Sequence, residues 1–136
     1  MNLDHMRRLL GWRFNVIGIA TLKDYELGVD LRGYFNIRAK VGASVKGVLY
    51  EIDQYCLDIL DELEAYPDVF NRIEIYPEDS KGKNNVSWVY IQDESKFNGE
   101  EVKSDFLKRV LAGATENHLP KDWIKFLETF KEKVRV

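Results

Sequence analysis

Ile59-Leu60-Asp61-Glu62-Leu63-Glu64-Ala65-Tyr66-Pro67-Asp68-Val69-Phe70-Asn71-Arg72 joins the end of an acidic amphipathic helix to a Pro-containing turn and the start of a strand. At about 100° per residue, Cys56, Ile59, Leu60 and Leu63 form one apolar stripe. Glu64 falls roughly 90° from the centre of that stripe and Glu62 only about 20° farther, so spacing favours Glu64 without deciding it. Asp58, Asp61 and Glu62 fit a solvated face. A carboxylate held where a helix stops at the edge of an apolar cavity is a candidate general acid/base, because partial desolvation raises its pKa. A helix-terminal Glu in water is the competing reading.

Working outward, Asp53 suits the N-cap of a helix over residues 54–64. The run before it, residues 45–52, predicts a well-buried strand, with Gly47 marking a bulge or a close backbone approach. Residues 34–39 alternate, with Phe35 and Ile37 on one face. Upstream, residues 3–10 predict a short helix stopped by Gly11. Residues 12–21 are β-rich, and residues 24–27 continue extended after a turn. Downstream, residues 70–76 and 86–92 predict two strands bridged by the polar loop 79–85, where Gly82 is a turn residue and not a phosphate cradle. Gly99 precedes a helix through about Ala112. Pro120 opens a last helix over residues 121–133, carrying Trp123, Ile124, Leu127 and Phe130 at helical spacing. Strands first, with helices inserted and appended, predict an α+β fold built on one sheet or barrel.

The 136 residues fit a single domain over residues 1–136. A 45% hydrophobic and 32% charged composition argues for a globular chain. The net charge of −3 gives no electrostatic reason to expect nucleic acid or an anionic membrane. No apolar run is long enough to span a bilayer, and no signal-peptide core follows Arg8. One cysteine, Cys56, excludes an internal disulfide and suits a reducing cytoplasm. With only His5 and His118 beside it, no metal-ligand spacing is present, and no metal or other cofactor is expected. Cys56, Trp12 and Trp123 fit core positions, His5 an exposed helix face and His118 a turn. Tyr90 either lines a cavity or packs.

Four segments in order resemble the γ-glutamyl cyclotransferase-like superfamily. Val45-Lys46-Gly47-Val48-Leu49-Tyr50-Glu51-Ile52 resembles the strand before that family's central helix. Leu60-Asp61-Glu62-Leu63-Glu64 resembles its Leu-Asp-x-x-Glu, and Pro67 through Arg72 its Pro-x-x-Tyr-x-Arg, with Phe70 in place of Tyr. Gly113-Ala114-Thr115-Glu116-Asn117-His118-Leu119-Pro120 resembles a C-terminal Gly-Ala-x-Glu-Asn-Gly-Leu-Pro, with His118 in place of a Gly that caps a turn at positive φ. The resemblance implies a small mixed β-barrel with flanking helices. It also implies an enzyme of transferase or lyase type that releases 5-oxoproline from a γ-glutamyl amide or dipeptide. There the substrate's own amine attacks its γ-carbonyl, so no protein nucleophile is needed. Glu64 would be the acid/base, and Asn2, Phe70 and Tyr90 would contact substrate.

One departure is large. The family's Tyr-Gly-Ser loop, whose amides hold the γ-glutamyl group, is absent, and Met1-Asn2-Leu3 resembles the residues that would directly follow it. The resemblance therefore implies a domain lacking its first strand and that loop, by truncation or by loss. The expectation is that the gap is filled by further residues or by a strand from a second copy in a homodimer. The alternative function is a non-catalytic member of the fold that binds a small ligand or a partner protein, which the missing loop and Phe70 favour.

Overall fold

Asp53 turns the chain from strand to helix in the way its side chain predicts: it sits in extended backbone at the N-cap, and the Cys56 N–H donates to its Oδ1 at 2.9 Å. The structure, a computed structural model, describes residues 3–11, 13–64, 66 and 70–133. Helix α1 (Leu3–Leu10) carries Arg7 and Arg8 in its last turn, where the helix dipole favours cations. It ends at Gly11, whose φ of 63° closes the turn with an N–H to the Arg7 carbonyl.

Strands β1 (Phe14–Val29) and β2 (Phe35–Ile52) form a long antiparallel ribbon. The separate strands that the sequence predicts on either side of turns are continuous here. Bulges between Val16 and Gly18 and between Lys23 and Tyr25 absorb the irregularities, with Asp24 at a φ of 64° inside the second. Gly47 is neither a bulge nor a close approach: it pairs in register with Ala20, and a side chain there would meet open space. Residues 45–52 are half-buried or exposed rather than well buried, because part of this strand borders a cavity instead of packed side chains.

Helix α2 (Gln54–Leu63) follows, with Cys56 fully buried against Met6 and Leu10 of α1. Burying side chains of this size contributes about 1.5–3 kcal/mol each, which fixes α2 on α1 and on the end of β2. Leu63, assigned to the apolar stripe by its spacing, is exposed. It lies in the last turn, past the point where α1 and β2 offer anything to pack against.

Beyond the turn, β3 (Asn71–Ile75) pairs antiparallel with β5 (Ser87–Ile91). Between them the two-residue β4 (Glu78–Asp79) pairs with Ala20 and Thr21 of β1. The loop after it closes on the Asp79 carboxylate, which accepts the Lys81 and Lys83 N–H groups. Strand β6 (Glu101–Lys103) leads into α3 (Ser104–Glu116), which runs past Ala112 through the buried pair Gly113 and Ala114. A mid-helix Gly costs about 1 kcal/mol, and the packing of Ala114 against Leu119 and Leu127 offsets it.

Helix α4 (Lys121–Glu128) is shorter than its periodicity implies. The Thr129 hydroxyl donates to the Phe126 carbonyl and ends it. Phe130 then turns in against Phe35, and β7 (Lys131–Lys133) pairs in parallel with β6. His118 has a φ of 57°, the conformation expected where it stands for Gly. Trp12 lies outside the described residues, and of the His5 side chain nothing is described. No described helix is long and apolar enough to cross a membrane. The fold is α+β, and its described strands form three sheets: β2-β1-β4, β3-β5 and β6-β7.

Candidate active site

Glu64 is the C-cap of α2, at φ −85° and ψ 3°, with its N–H donating to the Leu60 carbonyl at 2.9 Å. The cap turns its half-buried side chain toward a cavity of about 660 Å³. Met6, Leu57 and Leu60 give the cavity an apolar wall, and residues 48–52 of β2 and 86–90, all but the first in β5, also line it. Those segments are not strand neighbours: β2 is hydrogen-bonded to β1 and β5 to β3.

Burial pushes the Glu64 carboxyl above the ordinary carboxylate range, and the positive charges of the N-terminus and, less, of Arg32 partly oppose that shift. A helix C-terminus, which disfavours anions, acts in the same direction as burial. The result suits a group that must hold a proton at one step and release it at another.

One turn back on the same helix, Asp61 is bound on every side. Arg72 donates from Nε to Oδ1 at 3.0 Å and from Nη2 to Oδ2 at 3.3 Å, and the Tyr90 hydroxyl donates to Oδ1 at 2.5 Å. The Asp61 and Arg72 side chains are only 18% and 17% exposed, which corrects the placement of Asp61 on the solvated face. The helical wheel could not show this, because the partners come from β3 and β5. The Arg72 guanidinium also lies 4.7 Å from the Tyr66 ring centre and 4.9 Å from that of Trp88. Asp58 and Glu62 are exposed as expected.

Tyr90 lines the cavity with Glu64. Desolvation first, then its bond to Asp61, pushes its phenol well above the ordinary range, so it stays protonated and acts as a donor. Phe70, just before β3, lies 5.7 Å from the Arg32 guanidinium and does not line this cavity. Asn2 lies outside the described residues. Among the described residues, no group of three His, Cys, Asp or Glu side chains is placed to hold a metal ion.

The sequence did not single out a third cluster, in the turn between β1 and β2. Asp30, 3% exposed, accepts the Arg32 and Tyr34 N–H groups on Oδ1 at 2.9 and 3.0 Å. Its Oδ2 accepts from Arg32 Nε at 3.3 Å and Nη2 at 3.1 Å. The surrounding groups assign the Gln92 amide the orientation in which Nε2 donates to Asp30 at 2.9 Å and the oxygen accepts from Arg32 at 2.7 Å. Asp30 followed by Gly33 marks an Asx-type turn, the one signal in the sequence that pointed here.

Comparison with known proteins identifies the family and the fold. The family model described as "Gamma-glutamyl cyclotransferase, AIG2-like" matches residues 1–108. A curated relative, gamma-glutamylaminecyclotransferase A of Danio rerio, is 36% identical over 56 residues. That alignment covers 41% of this chain and 35% of the relative, so it spans about a third of the relative's length. A solved structure titled gamma-glutamyl cyclotransferase superposes with a TM-score of 0.89 at 18% identity, over 99% of this chain and 85% of that one. An uncharacterized protein from Homo sapiens superposes with a TM-score of 0.87 at 19% identity, over 98% and 83%. At such identities the superpositions establish the fold. The family match covers well over half of the sequence and includes the helix end and the two strands that carry Glu64, Arg72 and Tyr90: the chain belongs to the γ-glutamyl cyclotransferase, AIG2-like family.

Proposed function

We propose that the protein is a γ-glutamyl cyclotransferase that releases 5-oxoproline from a γ-glutamyl amide or dipeptide, with Glu64 as its acid/base and without a cofactor. The observation that carries this reading is the half-buried Glu64 carboxyl at the cavity wall, with its pKa raised by desolvation. The Glu64 carboxylate takes a proton from the substrate's α-ammonium group. The freed amine attacks the γ-carbonyl, forming the ring C–N bond. As the tetrahedral intermediate collapses, the bond to the leaving amine breaks, Glu64 returns the proton to it, and the ring nitrogen gives up its second proton to water. Closure within one molecule has a low entropic cost, so the protein's task is to fold the substrate and move the proton. Tyr90, whose one hydroxyl proton is given to Asp61, contributes a fixed acceptor oxygen on the cavity wall. Phe70, standing where a hydroxyl is usual in the family, lies outside this cavity and takes no part in the step.

The developing oxyanion requires backbone amides. The space between residues 48–52 and 86–90 suits an additional strand that would supply them, from further residues of the protein or from a second copy. The name of the curated relative supports γ-glutamyl amines as the first substrates to test. In the test, the protein is incubated with a γ-glutamyl amide, and 5-oxoproline and free amine are followed together. Equimolar release is expected. Binding of the amide without either product would replace this reading with the non-catalytic one.

A further inference from the structure

We propose that Asp61 and Arg72 are positioning residues that make the Tyr90 oxygen an acceptor for the α-ammonium group of the substrate. The assignment rests on the cyclotransferase reading of Glu64. Geometry joins these groups. Asp61 and Glu64 lie three residues apart at the end of α2, which puts their Cβ atoms about 5–6 Å apart. The Tyr90 hydroxyl bonds to Asp61 at 2.5 Å, and Tyr90 and Glu64 both line the cavity of about 660 Å³.

The partners of Asp61 fix the direction of its bond to Tyr90. Its two oxygens accept from Arg72 Nε and Nη2, and an ion-paired carboxylate has acceptor sites only. The one phenol proton therefore points at Asp61, and Tyr90 presents lone pairs to the cavity. Arg72 is itself held in place. Its guanidinium lies 4.7 Å from the Tyr66 ring centre and 4.9 Å from that of Trp88. The Tyr66 N–H donates to the Asp61 carbonyl at 2.9 Å, which ties the turn after α2 to the same point.

An α-ammonium group carries three N–H donors, and Glu64 takes one of the protons. Tyr90 accepts a second N–H in a charge-assisted bond, and that hydrogen stays on the nitrogen through ring closure. The electron pair that Glu64 frees is then open to the γ-carbonyl carbon. A hydroxyl proton aimed at the amine would instead bond to that pair and hold it back from attack. Tyr90 without Asp61 is such a group, because a phenol donates as readily as it accepts. The Asp61–Arg72 pair draws the proton away and leaves Tyr90 un-ionised.

Kinetics with γ-glutamyl anilide test the assignment in three variants whose folding is checked by thermal midpoint. Tyr90→Phe should lower kcat/KM about 10-fold, the scale of one charge-assisted contact. Asp61→Leu with Arg72→Leu removes the ion pair as a unit, and should lower kcat about 100-fold with KM within about threefold. Adding Tyr90→Phe to that pair should bring activity back to within about threefold of Tyr90→Phe alone, since the obstructing proton is gone. A merely structural Asp61 predicts losses that multiply. Multiplied losses, or no loss from the paired substitution, overturn the assignment. Should the paired substitution fail to fold, or the wild type prove inactive, binding decides. In the Glu64→Gln background, calorimetry compares γ-glutamyl anilide with glutaranilic acid, which lacks only the α-amine. Tyr90→Phe should weaken the first about 10-fold and leave the second within about twofold. Equal weakening would put the contact on the anilide N–H and overturn the assignment, as would two unchanged affinities or no binding of either ligand. The wild-type assay separates the two readings. Selective weakening in a protein that makes no 5-oxoproline leaves the ammonium contact and removes the reaction. Turnover with a kcat/KM indifferent to Tyr90 does the reverse.

Discussion

The two ends of α2 carry carboxylates in opposite conditions. At the N-terminal end, Asp53 is exposed and well supplied with partners: the Cys56 N–H caps it, and Arg13 Nη2 reaches it at 2.7 Å. Those bonds, the Cys56 N–H foremost, hold its carboxyl below the ordinary range. At the C-terminal end, Glu64 is half-buried with no ion pair among the described residues, and desolvation holds its carboxyl above that range. Asp61, one turn before Glu64, shows that burial alone does not produce the second condition, because Arg72 and Tyr90 occupy both of its oxygens. A carboxylate kept partnerless at a cavity wall is available for proton transfer, and one given partners stabilises the fold instead.

The largest expected effect comes from removing the proton from that arrangement. Glu64→Gln keeps the shape and should lower kcat for 5-oxoproline release by about 10²–10⁴-fold, with the thermal midpoint unchanged or raised. Turnover near that of the wild type would end the acid/base assignment and leave the contrast between the helix ends without functional meaning.

Next in size is the loss of partners from the buried carboxylate. Asp61→Asn leaves Arg72 without its counter-charge in a site where it is 17% exposed. It should destabilise the protein by about 2 kcal/mol in urea unfolding, since an unmatched, largely buried group costs about 1–3 kcal/mol. Asp58→Asn, on the exposed face of the same helix, should stay within about 0.5 kcal/mol. Equal effects from the two substitutions would show that the Asp61 network contributes nothing beyond surface charge.

The smallest effect is the most direct comparison of the two ends. Glu64 has its pKa raised above the 4.5 of an unperturbed Glu, so its contribution is fully present at pH below that value. It is lost as pH rises through the folded pKa, where ionisation begins to cost stability. Asp53 has its pKa lowered from 3.8, so its contribution is present above that value and is lost as pH falls through the folded pKa. Relative to wild type, Glu64→Gln should therefore gain stability between pH 4 and pH 8. Asp53→Asn, which retains a capping side chain, should lose stability as pH rises from 3 to 6. Urea midpoints across that range check both slopes, and slopes of the same sign would refute the opposition between the ends.

Much of this was legible in the sequence because it depends on neighbours along the chain. The Asp53 cap, the extent of α2, the turn at Gly11, the positive φ at His118 and the exposure of Asp58 and Glu62 follow from local propensity and helical phase. The order of four short segments was enough to indicate the family. The extent of α4 was not legible, since the pattern of Trp123, Ile124, Leu127 and Phe130 is compatible with a helix that continues. The Thr129 bond to the Phe126 carbonyl and the pairing of β7 with β6 end it. Nor did phase reveal the partners of Asp61, the hold of Asp30 and Gln92 on Arg32, or the cavity beside Glu64. Asp61 meets Arg72 and Tyr90 from 11 and 29 residues away, and Gln92 reaches back 62 residues to Asp30, brought together by sheet pairing and core packing. The sequence determined which side chains are chemically able to act. The tertiary structure decided which carboxylate is given partners and which is left without them, because desolvation and ion pairing depend on distance in space and not on spacing along the chain.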